Sequence, residues 1–223
     1  MKKYELTDEI KEFNGKTLHR IRAIADFGSV KNGDLGGFVE TENNLLHDND
    51  SWIYHDACVC EKASVREFSF VRDHAVVLGN SIIAGRSIVG GCAVVCGNAW
   101  VSGESYIGAY AHVSGESFVC DNSTVVGYSI VKGNAHVNGN ATLNRNAFIT
   151  RSTDFITIGA IGSRNEFTTF FKNKDNGISV NCGCFNGSLE EFLDRVNEFH
   201  GDDKHGKSYR IAVELAKNQI QLA

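Results

Sequence analysis

Proline is absent from all 223 residues. No turn can rest on a fixed pyrrolidine angle, so the sharp corners fall to glycine and asparagine. No run of 18 apolar residues occurs, and no transmembrane helix is expected. The opening Met1-Lys2-Lys3-Tyr4-Glu5 lacks an apolar segment and does not read as a signal peptide. There is no basic tract and the net charge is −5. Nucleic-acid binding, which needs a positive face, is therefore not expected. The seven cysteines are odd in number and scattered. Cys58, Cys60, Cys96 and Cys120 fall on strand positions, which reads as free thiols in a reducing cytoplasm.

What the chain has in abundance is a repeat. Seventeen hexapeptides follow one another from Ser51 to Ser152 without an insertion. Each begins with a small residue (Ser51, Ala57, Ala63, Ser69 and onward to Ala147) and has an aliphatic residue two places later (Ile53, Val59, Val65 and onward to Ile149). A period of six is no helical period, and it exceeds simple strand alternation. Each hexad reads as one short strand and one corner. The aliphatic residue points inward, its two neighbours point outward, and the small residue sits where a larger one has no room. Two places after the aliphatic residue stands Gly in nine hexads, from Gly79 to Gly139, which suits a bend with positive φ. A polar residue often follows, such as Asn80, Asn98 or Asn134, and Asn also tolerates left-handed backbone.

The repeat is flanked by two different ends. Residues 1–50 read as a β-rich cap: a strand at Lys3–Thr7, the turn signal Asn14-Gly15, and a return strand at Thr17–Ile24. Trp52 and Tyr54 are expected to pack beneath it. Residues 51–154 form the repeat, and 155–223 an α+β module. In that module Phe155–Ile161, Glu166–Lys172 and Gly177–Phe185 read as strands. A helix starts at Ser188, whose hydroxyl and Glu191 match a capping box, and carries the stripe Leu189, Phe192, Val196 and Phe199. A second helix is expected from about Lys207 to Ile220.

The pattern of aliphatic, any, Gly, polar, small, any resembles the hexapeptide repeat of left-handed parallel β-helix proteins. The resemblance covers 102 of 223 residues. It implies a mainly β, three-sided prism with 18 residues per coil, about 27 Å long at ordinary strand spacing. Every third hexad then stacks on one face. The first face carries outward Cys58, Val76, Val94, His112, Ile130 and Phe148; the second Ser64, Ile82, Trp100, Phe118 and His136; the third Trp52, Phe70, Ile88, Tyr106, Thr124 and Thr142. So much outward apolar surface needs covering. The resemblance implies a homotrimer of parallel prisms, with the C-terminal module folding back over part of the third face. Gly162-Ser163-Arg164-Asn165, Cys182-Gly183-Cys184-Phe185 and His200-Gly201-Asp202 make the chain similar to hexapeptide-repeat proteins of bacteriophages and prophages.

Two kinds of chemistry can be placed on this frame. Hexapeptide acyltransferases have a catalytic His at a corner, and Val71-Arg72-Asp73-His74-Ala75-Val76-Val77 puts His74 in that slot. It would be a general base acting on an acyl-CoA-dependent transfer. The Asn-Pro-Gly segment and the long external loop of those enzymes are missing, and a corner His is equally well a solvated one. The other kind is binding. Arg145, Arg151 and Arg164, with Ser163 and Asn165, are expected near the end of the coil, with Lys132 and His136 one to two coils earlier. They would hold a small anionic, nucleotide-like ligand against Phe148 or Phe118 by charge and ring stacking. Ordinary ion pairs with the many Asp and Glu residues are the competing reading. The group His200, Asp202, Asp203 and His205 contains metal-ligand types, but its setting between two helices is that of a polar loop, so no metal is assigned. The sequence thus reads as a cytoplasmic, trimeric binding protein without a cofactor, sequestering a nucleotide signal in counter-defence. An acyltransferase and a structural scaffold are the alternatives.

Overall fold

The computed structural model describes residues 2–222. Seventeen two-residue strands, from Trp52–Ile53 to Phe148–Ile149, stack in parallel as a β-solenoid. Each pairs with the strand 18 residues away, as in Val94↔His112, Trp100↔Phe118 and Ile88↔Tyr106. The three faces expected from the sequence are the three sheets observed. They have five and six strands on the second and third faces, and nine on the first. The inward aliphatic residues form one continuous core, with Val71, Val101, Val119 and Ile149 fully buried.

Two features of the corners explain why the repeat is so regular. The small residues are buried, and the serines among them are not merely small. Ser81, Ser105 and Ser129 Oγ donate to the carbonyls of Leu78, Ser102 and Val126 at 2.7, 2.8 and 2.6 Å. A buried hydroxyl is thereby satisfied inside its own turn. The second feature is a left-handed residue in every hexad from His55 to Arg145. The nine glycines have φ between 64° and 76°, and the seven residues with side chains between 52° and 64°. The asparagines one place later, such as Asn80 and Asn98, do not share this conformation. Where an acidic residue occupies the slot, its carboxylate accepts from the amide one coil on. Glu61 takes Gly79 N at 2.8 Å, Glu67 takes Gly85 N at 2.7 Å, Asp73 takes Gly91 N and Asp121 takes Gly139 N, both at 2.8 Å. Acidic residues thus offset their own backbone strain with a charge-assisted bond.

The first N-terminal strand, Tyr4–Phe13, is longer than the sequence implied, and the return strand, Lys16–Ala23, has the expected length one residue earlier; they are joined by a turn with Asn14 and Gly15 both left-handed. Leu35–Val39 pairs with both Lys16–Ala23 and Cys58–Val59, so this end continues the first face without a break. Leu18 and Phe38 cover Cys58 and Cys60, with Phe13 packed alongside. Two outward thiols of the first face are therefore buried within one chain. Trp52 is buried beneath Tyr4 and Phe27, and Tyr54 packs against Phe70.

The C-terminal module docks under the last coil and meets the third face at its lower end, where Asn144 Nδ2 donates to Asn181 Oδ1 at 2.9 Å. Phe155 and Phe171 close the bottom of the solenoid core, Lys174 N donates to Asn146 O at 3.0 Å, and Thr142 N donates to Thr169 Oγ1 at 3.1 Å. The module is an antiparallel sheet of Phe155–Ile161, Glu166–Lys172, Ile178–Cys182 and Phe185–Ser188. The single third strand expected there is two, because Gly183 is left-handed (φ 56°) and reverses the chain. Cys182 and Cys184 accordingly do not share a strand face. Helix α1 (Leu189–His200) starts on the Ser188–Glu191 capping box. Helix α2 (Lys204–Gln219) starts three residues earlier than expected, because Asp203 caps it through Gly206 N at 2.7 Å. Among the described residues no helix is long and apolar enough to cross a membrane.

Candidate functional site

The α1 stripe of Phe192, Arg195, Val196, Phe199 and His200 recurs at helical spacing and faces the module's sheet. Phe192 and Val196 are buried against it. The stripe runs beyond the sheet, however, and Phe199 is left 63% exposed. The uncovered end of the stripe is one wall of a cavity of about 450 Å³. The facing wall is made by the tips of two hairpins. One tip brings Ser163, Arg164 and Glu166, the other Cys182, Cys184 and Phe185, and Tyr209 of α2 joins them. Gly162, left-handed at φ 76°, is indispensable here, since a Cβ would overlap the Tyr209 ring and hydroxyl.

The cavity is apolar at its base and charged at its mouth. Phe192 meets Tyr209 edge to face with centroids 5.4 Å apart. Burial, followed by the neighbouring Cys182, holds the Tyr209 hydroxyl well above its ordinary pKa, so it is a neutral donor. His200 Nδ1 lies 3.4 Å from Asp203 Oδ2, which fixes the imidazole and leaves Nε2 for a ligand. The Arg195 guanidinium lies 5.6 Å from the Phe199 ring centre. Arg164 Nη1 lies 3.8 Å from Cys184 Sγ. Among the described residues neither arginine is in an ion pair, and the Glu166 side chain has no hydrogen bond or ion pair. Elsewhere Arg20, Arg22, Arg72, Arg151 and Arg210 have carboxylates within 4 Å, while Arg66 and Arg86 lie over the Trp100 and Phe68 rings on the coil.

No family model matches this chain, and no curated protein matches it in sequence. The site is accordingly read from its own geometry. Of the residues singled out in the sequence, Arg164 and Ser163 line the cavity, and Asn165 forms its hairpin turn with φ 51°. Arg145 is exposed at a corner of the coil, where its charge acts on Glu191. Arg151 is held by Asp154 at 3.2 Å. The three arginines therefore have three different sets of partners. Lys132 lies 4.9 Å from the Phe148 ring centre on the first face. His136 is on the second face, against Phe118 and 3.3 Å from Cys120 Sγ. His74 is exposed, and its imidazole makes no hydrogen bond or ion pair among the described residues. His112 pairs with Cys96 Sγ at 3.3 Å.

Sequence reasoning missed Arg195 and Glu166 as site residues, and considered His200 only beside Asp202, Asp203 and His205. That group joins the helices: Asp203 caps α2, and Arg210 holds Asp202 at 2.9 Å and the Gly201 carbonyl at 2.9 Å. Among the described residues no set of three or more His, Cys, Asp or Glu is placed to hold a metal ion. The available signal was periodicity. Arg195 and His200 sit at the i+3 and i+8 positions of the apolar stripe starting at Phe192, where a charge has no reason to be unless it faces something polar.

Proposed function

We propose that this protein is a non-enzymatic binding protein whose C-terminal cavity takes a small anionic ligand with a flat ring. The observation that carries this reading is the pair of guanidinium groups, Arg164 and Arg195, left without carboxylates at the mouth of an aromatic-lined cavity in an acidic chain. A few convergent polar groups over an apolar base are the ordinary composition of a small-molecule site. Arginine forks favour phosphate or carboxylate, and the exposed face of Phe199 favours a planar ring. The likeness to bacteriophage hexapeptide-repeat proteins extends the reading to sequestration of a nucleotide signal. The partly exposed row of Ile82, Trp100 and Phe118 on the second face supports association of copies as a trimer.

Titration calorimetry with nucleoside phosphates tests the reading. Arg164→Ala and Arg195→Ala should each weaken binding about ten- to a hundredfold, the value of one charged hydrogen bond of about 1.5–3 kcal/mol. Binding that survives both substitutions unchanged would put the ligand elsewhere.

A further inference from the structure

The same cavity contains one feature that a site for a simple anion does not need. Glu166, the first residue of its strand, brings a carboxylate to the mouth beside Arg164. A Cβ built on Gly183 would lie 2.5 Å from Glu166 Oε2 and 3.7 Å from Arg164 Nη1, so one small gap separates both groups from the facing hairpin tip. The two do not form an ion pair, and Glu166 accepts no hydrogen bond among the described residues. A free carboxylate in a site for anions repels its ligand unless the ligand brings N–H donors to it.

Charge counting narrows the anionic part. Arg164 and Arg195 contribute two positive charges and Glu166 one negative, while His200 is faced by the Asp203 carboxylate and adds no net charge. The net of one comes nearest to a single phosphate group, which carries about −1.5 to −2 at pH 7, and falls far short of a triphosphate. The cavity's walls narrow the ring. Phe199 offers an exposed aromatic face and Phe185 a second, half-buried one.

We propose that the ligand is a guanine nucleotide bearing one phosphate group. This rests on the binding reading above. The guanine edge presents O6 as acceptor beside N1–H and the N2 amino group as donors. Arg164 donates to O6 while the two oxygens of Glu166 accept from N1 and N2. The phosphate then lies toward Arg195 and His200, and the base stacks on Phe199. Adenine has one amino group on the corresponding edge and no ring N–H, so it leaves one carboxylate oxygen unpaired. A site built around hydrogen bonds rejects an analogue that lacks a donor far more strongly than one built on shape.

The experiment is a set of calorimetric titrations of the full chain with GMP, AMP, IMP and inorganic phosphate. GMP should bind at least tenfold tighter than AMP, and tighter than IMP, which lacks the N2 amino group. Glu166→Ala should erase the GMP preference and leave a residual affinity shared by all three nucleotides. Arg195→Ala should weaken all of them alike. Equal binding of GMP and AMP, or a preference that survives Glu166→Ala, overturns the guanine assignment and leaves the anion site standing. No binding of any nucleotide or of phosphate by folded wild-type protein overturns both. Circular dichroism of each variant separates a lost contact from a lost fold, and Glu166→Gln, which keeps one acceptor and adds a donor, should lower the GMP preference without altering the spectrum.

Discussion

Replacing Gly103 by Ala should cost about 2–4 kcal/mol, whereas the same change at Gly139 should cost about 1 kcal/mol. Both glycines stand in the same corner column, two coils apart, with φ of 70° and 65°. An L-residue in that conformation costs about 1–2 kcal/mol, and alanine returns about 0.4–1 kcal/mol by restricting the unfolded chain. These two contributions are common to both sites. What differs is the next coil. A Cβ at Gly103 would lie 2.5 Å from Asp121 N and 2.7 Å from its carbonyl oxygen, while a Cβ at Gly139 meets nothing within 4 Å. Backbone cannot swing aside as a side chain can, so Gly103→Ala adds an overpacking cost of about 1–3 kcal/mol. The lower end of that range is favoured by Ala109, which occupies the equivalent slot at φ 54°. Side-chained corners rotate by roughly ten degrees relative to glycine ones, and this swings Cβ off the neighbouring turn. Urea unfolding of both variants measures the difference, with a melting-temperature loss of about 2–4 °C per kcal/mol expected at this chain length. Equal losses at the two sites would mean that the close stacking of corners contributes nothing, and that glycine is needed there for φ alone.

Val101→Asp or Val113→Asp buries an unpaired charge between coils and should cost about 3–5 kcal/mol by the same unfolding measurement. Asp154→Ala should cost about 2–4 kcal/mol, because its carboxylate accepts from Thr150 N and Oγ1, Arg151 N and the Arg151 guanidinium. Burial alone would raise the Asp154 pKa, but those bonds outweigh it and leave the pKa below its ordinary value. The Asp154 contribution is therefore complete above about pH 4 and is lost as the pH falls through the lowered value. An acid-unfolding curve of wild type against Asp154→Asn checks this, and the variant should be the less pH-sensitive below pH 4. Sedimentation should find an assembly near three times the chain mass of 24.4 kDa, and a stable monomer would remove the proposed trimer.

The solenoid was legible because its determinants are local and repeated. An unbroken row from Ile53 to Ile149 can be inward only in one register, and a one-residue slip would expose every member. The serine hydroxyl bonds and the carboxylate clasps of Glu61, Glu67, Asp73 and Asp121 were hidden, since they depend on the distance between coils and not on composition. The site was legible in part. Arg164 and Ser163 stood out as polar residues in a turn, but their partners Arg195, Phe199 and Tyr209 lie 31 to 45 positions later, on elements whose packing the sequence does not state. Arg145 and Arg151 looked similar to Arg164 in sequence and differ only in what they meet. The split of 177–185 into two strands turned on one backbone angle, at Gly183, and that hairpin tip brings Cys182, Cys184 and Phe185 to the cavity.

Three hexads to a coil make chain length a setting for direction. Adding 18 residues anywhere in the stack would move the C-terminal module along the axis by one strand spacing, about 4.8 Å, and leave its compass bearing relative to the N-terminal cap untouched. Adding six would turn it by a third of a revolution, carrying the cavity from one side of the prism to the next. An insertion that is not a whole number of hexads would break the row of inward residues. Seventeen hexads is thus an address as well as a length, and variation by whole hexads would present the same cavity to a neighbour on a different side without altering one residue of its wall.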